Sequence, residues 1–435
     1  MSASSRMPNL MLVPIPFRCE HALRGRSVFR VGSSCRISGR ERTSVRYAAS
    51  PGSGGMSDWH FHNPVRIRFG VDALTDLSDA LGGRSYAIVT YPDAVFARLA
   101  DRVEAQLGPA LARIDCVEAN PSVPMLRRAC ERLAALPAKP DVLIALGGGS
   151  VIDSAKVLAA EHGDFDRVLR ILSGAAGTTG DAPVRPALPI VAIPTTAGTG
   201  SEVTRWATVW DPHNARKLSL SRPDLFPETV IVDPRLMVGL PMQPTLASGL
   251  DALSHALESI WNVHANPVTR GLAVQAAREL MHGLGRVNAH PDDLDARSDM
   301  ALGALRAGLA FSNTHTALAH SISYAITLTR GVAHGIACSF CLPAVMQAAL
   351  GVDAACDAAL REIFGDTASA PAQLVALLDA LGVASHPAAY GIDAPEWARI
   401  VDHAFDGARG RNFIGTRARF PHFDFSPEQP ERALH

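Results

Sequence analysis

The stretch that decides the fold is DVLIALGGGSVIDSAKVL, residues 141–158. Residues 141–146 form a short apolar run typical of a buried β-strand, residues 147–149 are glycines, and the rest is compatible with a helix. In such a unit the backbone N–H groups and the helix N-terminus can bind a phosphate. Ser150 and Asp153 also have a capping-box-like spacing at the helix start. We interpret the unit as a phosphate-binding loop; a glycine-capped turn without a ligand is the alternative.

A second loop of this kind is PTTAGTGSEVT, residues 194–204, which follows the apolar run at residues 190–193. Its hydroxyl side chains and glycines suit the pyrophosphate and ribose of a dinucleotide. Taken alone, this loop could be a flexible surface turn. Because two such loops follow two strands of one predicted sheet, we expect both to bind one dinucleotide.

Outward from these loops, short β-rich runs alternate with amphipathic helical patterns from residue 65 to residue 232. This alternation predicts an α/β domain with a mostly parallel, Rossmann-like sheet covered by helices. After Pro234 the strand signals fade and helical periodicity continues to about residue 405, which predicts an all-helical second domain. The predicted strands are 65–69, 85–90, 113–117, 141–146, 189–193 and 229–232, and the predicted domains are 56–238 and 239–435.

Residues 1–55 differ in composition from the rest, with nine arginines, no lysine, two acidic residues and many serines. Such a segment cannot build a hydrophobic core. An Arg- and Ser-rich N-terminus is also typical of a mitochondrial transit peptide, but this one contains Pro8, Pro14 and Pro16 and lacks a clean amphipathic period. We expect a disordered or non-native upstream extension, with the functional protein starting near Met56; a targeting segment is the alternative.

The composition of the whole chain excludes two classes of function. A net charge of −1 without a basic stripe in the main body argues against nucleic-acid binding, and the longest apolar runs are far shorter than the ~20 residues of a membrane helix. Seven cysteines without disulfide-like spacing fit a reducing cytoplasm. Cys338 and Cys341 form a CxxC pair in an apolar segment, which we interpret as packing, with a redox or metal role as the alternative.

A candidate metal site begins with Asp251 and His255, which would share one face of a helix at spacing i, i+4. His320 and His334 lie in two further apolar, helix-compatible segments. On one unbroken helix they would be ~21 Å apart, too far for one ion with ~2.1 Å bonds, so the chain must turn between them. Residues 327–331, TLTRG, provide that break. Three imidazoles and one carboxylate suit Fe²⁺ or Zn²⁺, which these ligands do not distinguish.

Four motifs occur in order: GGGSVIDSAK (147–156), PTTAGTGSEVT (194–204), GLDALSHALE (249–258) and HSISYAITLTRGVAHG (320–335). With them the chain resembles the iron-containing (group III) alcohol dehydrogenase family over residues 60–400. The resemblance implies the architecture shared with dehydroquinate synthase, with a metal- and substrate-binding helical domain. It also implies hydride transfer between NAD or NADP and a small aldehyde or primary alcohol, with Asp251, His255, His320 and His334 as metal ligands at the catalytic centre. The cofactor-binding pattern of the family falls on Gly148, Gly149, Ser150, Asp153, Thr195, Thr196, Thr199, Thr204 and Lys217.

Two positions depart from the family pattern. Many members have a substrate-facing histidine four residues after the third ligand, where this chain has Tyr324. A phenol can donate a proton or hydrogen-bond an alkoxide, so Tyr324 is a candidate catalytic residue. Many NAD-preferring members have an aspartate after the second strand, where this chain has Tyr91, with Asp93 displaced. NADP therefore remains a candidate cofactor beside NAD.

Short strings at residues 61–66, 321–324 and 337–340 are similar to the phosphonate-metabolism branch of the family. This similarity implies reduction of phosphonoacetaldehyde to 2-hydroxyethylphosphonate. We also expect the protein to form a homodimer. A phosphonate needs fixed cations, which the C-terminal tail could supply; a solvated basic tail is the alternative. The tail residues are Arg409, Arg411, Asn412, Arg417 and Arg419.

Three other functions stay open. The first is a generalist reductase of small aldehydes. The second is an NAD- and metal-dependent lyase of the dehydroquinate-synthase type, in which the nicotinamide is reduced only transiently. The third is a non-catalytic regulator that binds a dinucleotide or a metal. Net consumption of NADH or NADPH with an aldehyde separates the reductases from the other two.

Overall fold

The structure is a computed structural model that describes residues 58–174, 184–214 and 216–426. The prediction for residues 1–55 lies outside these ranges. In the part described, eight strands are present, and six of them form one parallel sheet in the order β1-β8-β5-β4-β2-β3. The strands are β1 (Arg66–Phe69), β2 (Tyr86–Val89), β3 (Ala112–Ile114), β4 (Val142–Gly147), β5 (Ile190–Pro194), β6 (Trp206–Asp211), β7 (Arg216–Ser221) and β8 (Thr229–Val232).

The predicted parallel sheet is confirmed, and each of its six strands was expected from the sequence. Strands β2, β4, β5 and β8 are buried along their whole length, which explains why they are continuous apolar runs rather than alternating patterns. In the register of the two central strands, Gly147 pairs with Pro194. The two candidate phosphate loops therefore leave the sheet from the same edge and at the same level.

The antiparallel hairpin of β6 and β7 was not predicted. Along β6 the residues alternate between half-buried and buried, and Ala207, Val209 and Asp211 are the buried ones. The readable signal in the sequence was composition, because Trp206, Thr208, Val209 and Trp210 are of residue types enriched in strands. The hairpin matters for the site because it carries Lys217.

The helices lie on the sheet up to α5 and form the region after β8 from α6 onward, so the predicted all-helical second region is confirmed. The extensive contacts among α6, α7 and α8 form its centre. The α-helices of the described residues are α1 (Leu77–Leu81), α2 (Ala94–Leu107), α3 (Val123–Ala134), α4 (Gly149–Ala159), α5 (Phe165–Leu172), α6 (Met242–Ile260), α7 (Pro267–Ala289), α8 (Leu294–Thr314), α9 (Leu318–Arg330), α10 (His334–Ser339), α11 (Leu342–Ala349), α12 (Ala354–Phe364), α13 (Ala370–Ala380) and α14 (Ala394–Asp406).

The described residues from Asp58 onward belong to one compact unit, and the boundary between residues 238 and 239 stays a prediction. Among the described residues, no helix is both long enough and apolar enough to cross a membrane. The homodimer and the cytoplasmic location stay predictions of the sequence.

Candidate active site

The two glycine-rich loops touch each other where β4 and β5 end. A Cβ placed on Gly149 would lie 2.5 Å from Thr199 Oγ1, and one on Gly148 would lie 3.1 Å from Thr196 Oγ1. A side chain would overlap Thr199 at Gly149 and press on Thr196 at Gly148, because the backbone of one loop lies directly against the threonines of the other. The predicted cofactor residues that the structure brings together here are Gly148, Gly149, Ser150, Thr195, Thr196 and Thr199.

A buried lysine fixes the second loop beneath the first. Lys156, on α4, is completely buried, and its Nζ donates to the carbonyl oxygens of Ser201 (2.6 Å) and Trp206 (2.7 Å) and to Thr204 Oγ1 (3.3 Å). Burial lowers the pKa of Lys156 to about 8, against the opposing effect of the Asp153 carboxylate. Sequence reasoning missed this role, although Lys156 ends the first motif.

Asp153 holds the loops together and does not cap α4, so the predicted capping box is wrong. The N-cap of α4 is Gly148, without any side-chain hydrogen bond. The Asp153 carboxylate accepts hydrogen bonds from Ser201 Oγ (2.5 Å) and Thr208 N (2.8 Å), and burial raises its pKa. The side chains of Asp153 and Thr204 thus form hydrogen bonds within the protein, beneath the surface at which a dinucleotide would bind.

The second loop also reaches the helical region. A Cβ on Gly198 would lie 2.6 Å from Ser248 Cβ on α6, and a Cβ on Gly200 would lie 2.6 Å from Phe311 on α8. The Phe311 ring stacks on His255, with centroids 4.0 Å apart. Phe311 therefore contacts both the candidate cofactor loop and His255, which also interacts with the Gly198 backbone of that loop.

Two of the predicted metal ligands, His255 and His320, approach one carboxylate oxygen of a third, Asp251. Asp251 and His255 lie one turn apart on α6, and each is 5% exposed. His320 Nε2, from α9, lies 3.4 Å from Asp251 Oδ1, and His255 Nε2 lies 3.9 Å from the same atom. The rings of His255 and His320 stack with centroids 4.6 Å apart.

The predicted chain break brings the fourth residue, His334, to this cluster. Gly331, with φ 66°, ends α9, and α10 begins at His334. A side chain at Gly335 would overlap the Ala247 carbonyl oxygen, so α10 packs directly on α6. As a result, the rings of His334 and His320 are 5.5 Å apart between centroids.

Glu258 orients His320, a role that sequence reasoning missed. Its buried carboxylate accepts hydrogen bonds from His320 Nδ1 at 2.6 Å and from the backbone N–H groups of Ala317 at 2.8 Å and Ala319 at 2.6 Å. This arrangement turns His320 Nε2 toward the Asp251 carboxylate. The signal was the spacing of seven residues from Asp251, which places both carboxylates on one helix face.

The charges in the cluster suit a bound cation. Burial lowers the pKa of His255 to about 4 and that of His334 to about 3, so both rings are neutral and keep a lone pair at neutral pH. Burial opposes ionisation of Asp251, but the neighbouring histidines hold its pKa below the usual range. Burial also opposes protonation of His320, yet the nearby Cys338 sulfur and Glu258 carboxylate raise its pKa, so a metal ion bound there would displace a proton.

Buried atoms without partners provide a direct test of whether a metal fits. In the described part of the chain, Asp251 Oδ1 and His320 Nε2 are buried and have no hydrogen-bond partner. Leaving such atoms unpaired in the interior is costly. A carboxylate oxygen and imidazole nitrogens are ligands of Fe²⁺ and Zn²⁺, so the residues present fit the ion.

A cysteine also reaches the cluster. Cys338, on α10, is completely buried, and its Sγ lies 3.7 Å from His334 Nε2. One donor atom each of Asp251, His320, His334 and Cys338 lies within 4.8 Å of the others, a set that does not include His255. The sequence analysis favoured packing for this thiol, with a redox or metal role as the alternative.

Two cations flank Tyr324 beside the cluster. The Tyr324 ring lies parallel to the His334 ring, with centroids 5.8 Å apart. Lys217 Nζ lies 4.3 Å and Arg409 Cζ 4.8 Å from the Tyr324 centroid. Among the described residues, neither cation has a carboxylate within 4 Å. Lys217, which the resemblance assigns to the cofactor, thus lies next to the candidate metal site.

Of the five tail residues expected to bind a phosphonate, Arg409 alone approaches Tyr324. Arg409 Nε also donates to Thr316 Oγ1 at 3.1 Å, which fixes the side chain. The expected cluster of tail cations is therefore reduced to one residue. The others bind elsewhere: Arg411 to the Asp406 carbonyl, Asn412 to the Thr316 carbonyl, Arg417 to the Asp402 carboxylate and Arg419 to the Ala348 carbonyl.

Comparison with known proteins agrees with this architecture. Residues 64–234 match the family model described as iron-containing alcohol dehydrogenase, and residues 245–417 match the C-terminal model of the Fe-containing alcohol dehydrogenase family. The chain is also 33% identical over 302 residues to choline dehydrogenase of Bacillus subtilis, covering 67% of this chain and 73% of that protein. The chain belongs to the iron-containing alcohol dehydrogenase family. It is an oxidoreductase that acts on alcohols or aldehydes.

Two further relatives of this iron-containing alcohol dehydrogenase are informative. It is 38% identical over 213 residues to phosphonoacetaldehyde reductase of Streptomyces viridochromogenes, a match that covers 48% of this chain and 53% of that protein. A crystal structure of sulfoacetaldehyde reductase from Bifidobacterium kashiwanohense in complex with NAD⁺ has a TM-score of 0.75 and 28% identity, covering 83% of this chain and 95% of that one.

Proposed function

We propose that this enzyme transfers a hydride reversibly between NAD(H) and a small aldehyde that carries an anionic group, and that its substrate is phosphonoacetaldehyde. The product would be 2-hydroxyethylphosphonate. The observation that carries the proposal is the pair of cations, Lys217 and Arg409, beside Tyr324 and His334. A two-carbon aldehyde that reaches the metal cluster would place its phosphonate near this pair.

Asp251, His255, His320 and His334 would hold the ion, which the family description indicates to be iron; Zn²⁺ accepts the same ligands. When bound, the ion acts as a Lewis acid toward the carbonyl or alcohol oxygen. The protein contributes a dry environment, because Asp251, His255 and His320 are each at most 5% exposed. Glu258 keeps His320 in the tautomer with a free Nε2.

The glycine-rich loops would bind the dinucleotide, with Gly148, Gly149 and Ser150 at the N-terminus of α4 facing its pyrophosphate. The bound nicotinamide supplies or accepts the hydride. The NAD⁺ complex of the related sulfoacetaldehyde reductase favours NAD. Tyr91 lies next to Gly147, whose Cβ would be 3.2 Å from the Tyr91 ring, and brings no negative charge to repel a 2′-phosphate. NADP is therefore the cofactor to compare.

The two cations differ in what they offer an anion. The Arg409 guanidinium can donate two parallel hydrogen bonds to a phosphonate, whereas the Lys217 ammonium acts as a point charge. Tyr324 holds both cations against its ring. Its hydroxyl makes no hydrogen bond to any described residue and can hydrogen-bond the substrate. The names of two relatives, phosphonoacetaldehyde reductase and sulfoacetaldehyde reductase, describe aldehydes with an anionic group.

The test is oxidation of NADH and of NADPH by anaerobically prepared, Fe²⁺-loaded protein. The substrates are phosphonoacetaldehyde, sulfoacetaldehyde, propanal and lactaldehyde. We expect kcat/KM for phosphonoacetaldehyde to exceed that for propanal by about a hundredfold, because two charge-assisted contacts are each worth about 1.4 kcal/mol or more. A preference for sulfoacetaldehyde would replace the phosphonate by a sulfonate as the anion that the enzyme recognises. Comparable rates with all four aldehydes would indicate a generalist reductase. Failure of every aldehyde to cause oxidation of NADH or NADPH would favour the lyase.

A further inference from the structure

The Cys338 Sγ atom lies among the donor atoms of the candidate metal ligands. It follows His334 by four residues on α10, so both side chains lie on one face of that helix. The spacing repeats that of Asp251 and His255 on α6, which packs against α10. Two helices thus each present an i, i+4 pair of metal-ligating side chains to the same cluster.

The distances agree with shared coordination. Donor atoms bound to one ion through bonds of about 2.0–2.3 Å are separated from their neighbours by roughly 3–4 Å. The separation from Cys338 Sγ to His334 Nε2 is 3.7 Å, and that from His320 Nε2 to Asp251 Oδ1 is 3.4 Å. All four donor atoms lie within 4.8 Å of one another.

A second observation is independent of the thiol. Asp251 Oδ1 and His320 Nε2, at side chains that are 5% and 2% exposed, lack partners among the described residues and belong to the same four-atom set. The neighbouring Cys341 is different, because its Sγ lies 3.6 Å from the Cys338 carbonyl oxygen and outside this set. The CxxC pair is therefore split between one thiol in the cluster and one in the core.

We propose that Cys338 Sγ is a further ligand of the metal ion that Asp251, His255, His320 and His334 would hold. The inference rests on the proposed function, because the ion is the one that would act as the Lewis acid in hydride transfer. On binding, the thiol proton passes to solvent and a sulfur–metal bond forms, without any change of oxidation state. With the carboxylate and the thiolate, a divalent site has no net charge, and the soft sulfur strengthens binding of Zn²⁺ and Co²⁺.

Co²⁺ reports directly on this bond, because a thiolate ligand gives a sulfur-to-cobalt charge-transfer absorption in the near ultraviolet that oxygen and nitrogen ligands do not. Full-length protein is loaded anaerobically with one equivalent of Co²⁺, and its spectrum and Co²⁺ affinity are compared with those of Cys338→Ser and Cys338→Ala. Cys341→Ser is the matched control. We expect the absorption in the wild-type and Cys341→Ser proteins, its loss in both Cys338 variants, and an affinity about tenfold or more lower in those variants.

Absence of the absorption in wild-type protein with one bound Co²⁺, or its persistence in both Cys338 variants, would overturn the inference and leave the proposed hydride transfer untouched. Failure of the wild-type protein to bind Co²⁺ or Fe²⁺ at all would overturn both. NADH binding, measured by fluorescence, verifies that each variant is folded.

Discussion

The cofactor loops and the metal cluster are neighbours that are built in opposite ways. The loops consist of consecutive residues after two adjacent strands, and their fit depends on side chains that are missing, as at Gly149 against Thr199. The cluster depends on side chains that are present, which come from α6, α9 and α10. Adding one methyl group should therefore damage the first region, whereas removing one donor atom should damage the second.

The first prediction tests the metal cluster and has the largest expected effect. Asp251→Asn removes the anionic ligand on which the His255 and His320 nitrogens converge. We expect loss of bound metal and a fall in kcat/KM on the order of a thousandfold or more, since the ion stabilises the transition state by several kcal/mol. The measurements are metal content and NADH oxidation. Asp402→Asn, at the carboxylate paired with Arg417, is the control; full activity of metal-free Asp251→Asn would end this mechanism.

The second prediction tests the loops. Gly149→Ala places a Cβ 2.5 Å from Thr199 atoms and forces the loops apart. Since overpacking costs about 1–3 kcal/mol, we expect NADH affinity to fall roughly 10- to 100-fold while metal content stays normal. Fluorescence titration with NADH measures this change. Gly271→Ala, where a Cβ would meet no atom within 4 Å, is the matched control. Loss of metal together with NADH affinity would contradict the separation of the two regions.

The third prediction sharpens the comparison where the two regions meet. Arg409→Met should raise KM for phosphonoacetaldehyde about tenfold and leave that for propanal unchanged, because one charge-assisted contact is lost. Steady-state kinetics with both aldehydes provide the measurement. Arg411→Met, which removes a guanidinium that binds the Asp406 carbonyl, should change neither constant. An equal increase of KM for both aldehydes would assign Arg409 to structure rather than to anion recognition.

The fourth prediction concerns a buried carboxyl group within the second loop, that of Glu202. Burial raises the pKa of Glu202 from 4.5 to about 7. Between these values the unfolded chain loses the proton while the folded protein keeps it, so this group lowers stability as pH rises. Glu202→Gln should therefore gain stability relative to wild type, by about 3 kcal/mol, from pH 4.5 to pH 7. Urea unfolding at several pH values measures the difference; a pH-independent difference would contradict the assignment.

Local sequence determined a large part of the molecule. The strand–glycine–helix unit, the six sheet strands and the break before His334 all depend on short-range rules, namely apolar runs, glycine turns and helix periodicity. The spacing of Asp251 and His255 on one helix is of the same kind. These features are readable because neighbouring residues interact in nearly the same way in any fold.

Tertiary packing decided the rest. The paired strands of the β6–β7 hairpin bring Lys217 to Tyr324, the approach of α10 to α6 at Gly335 brings Cys338 into the cluster, and the hydrogen bonds of Asp153 are made to a distant loop. Each of these contacts joins residues far apart in the chain. Their partners are chosen by how helices and strands pack in three dimensions, and the sequence near either residue does not contain that information.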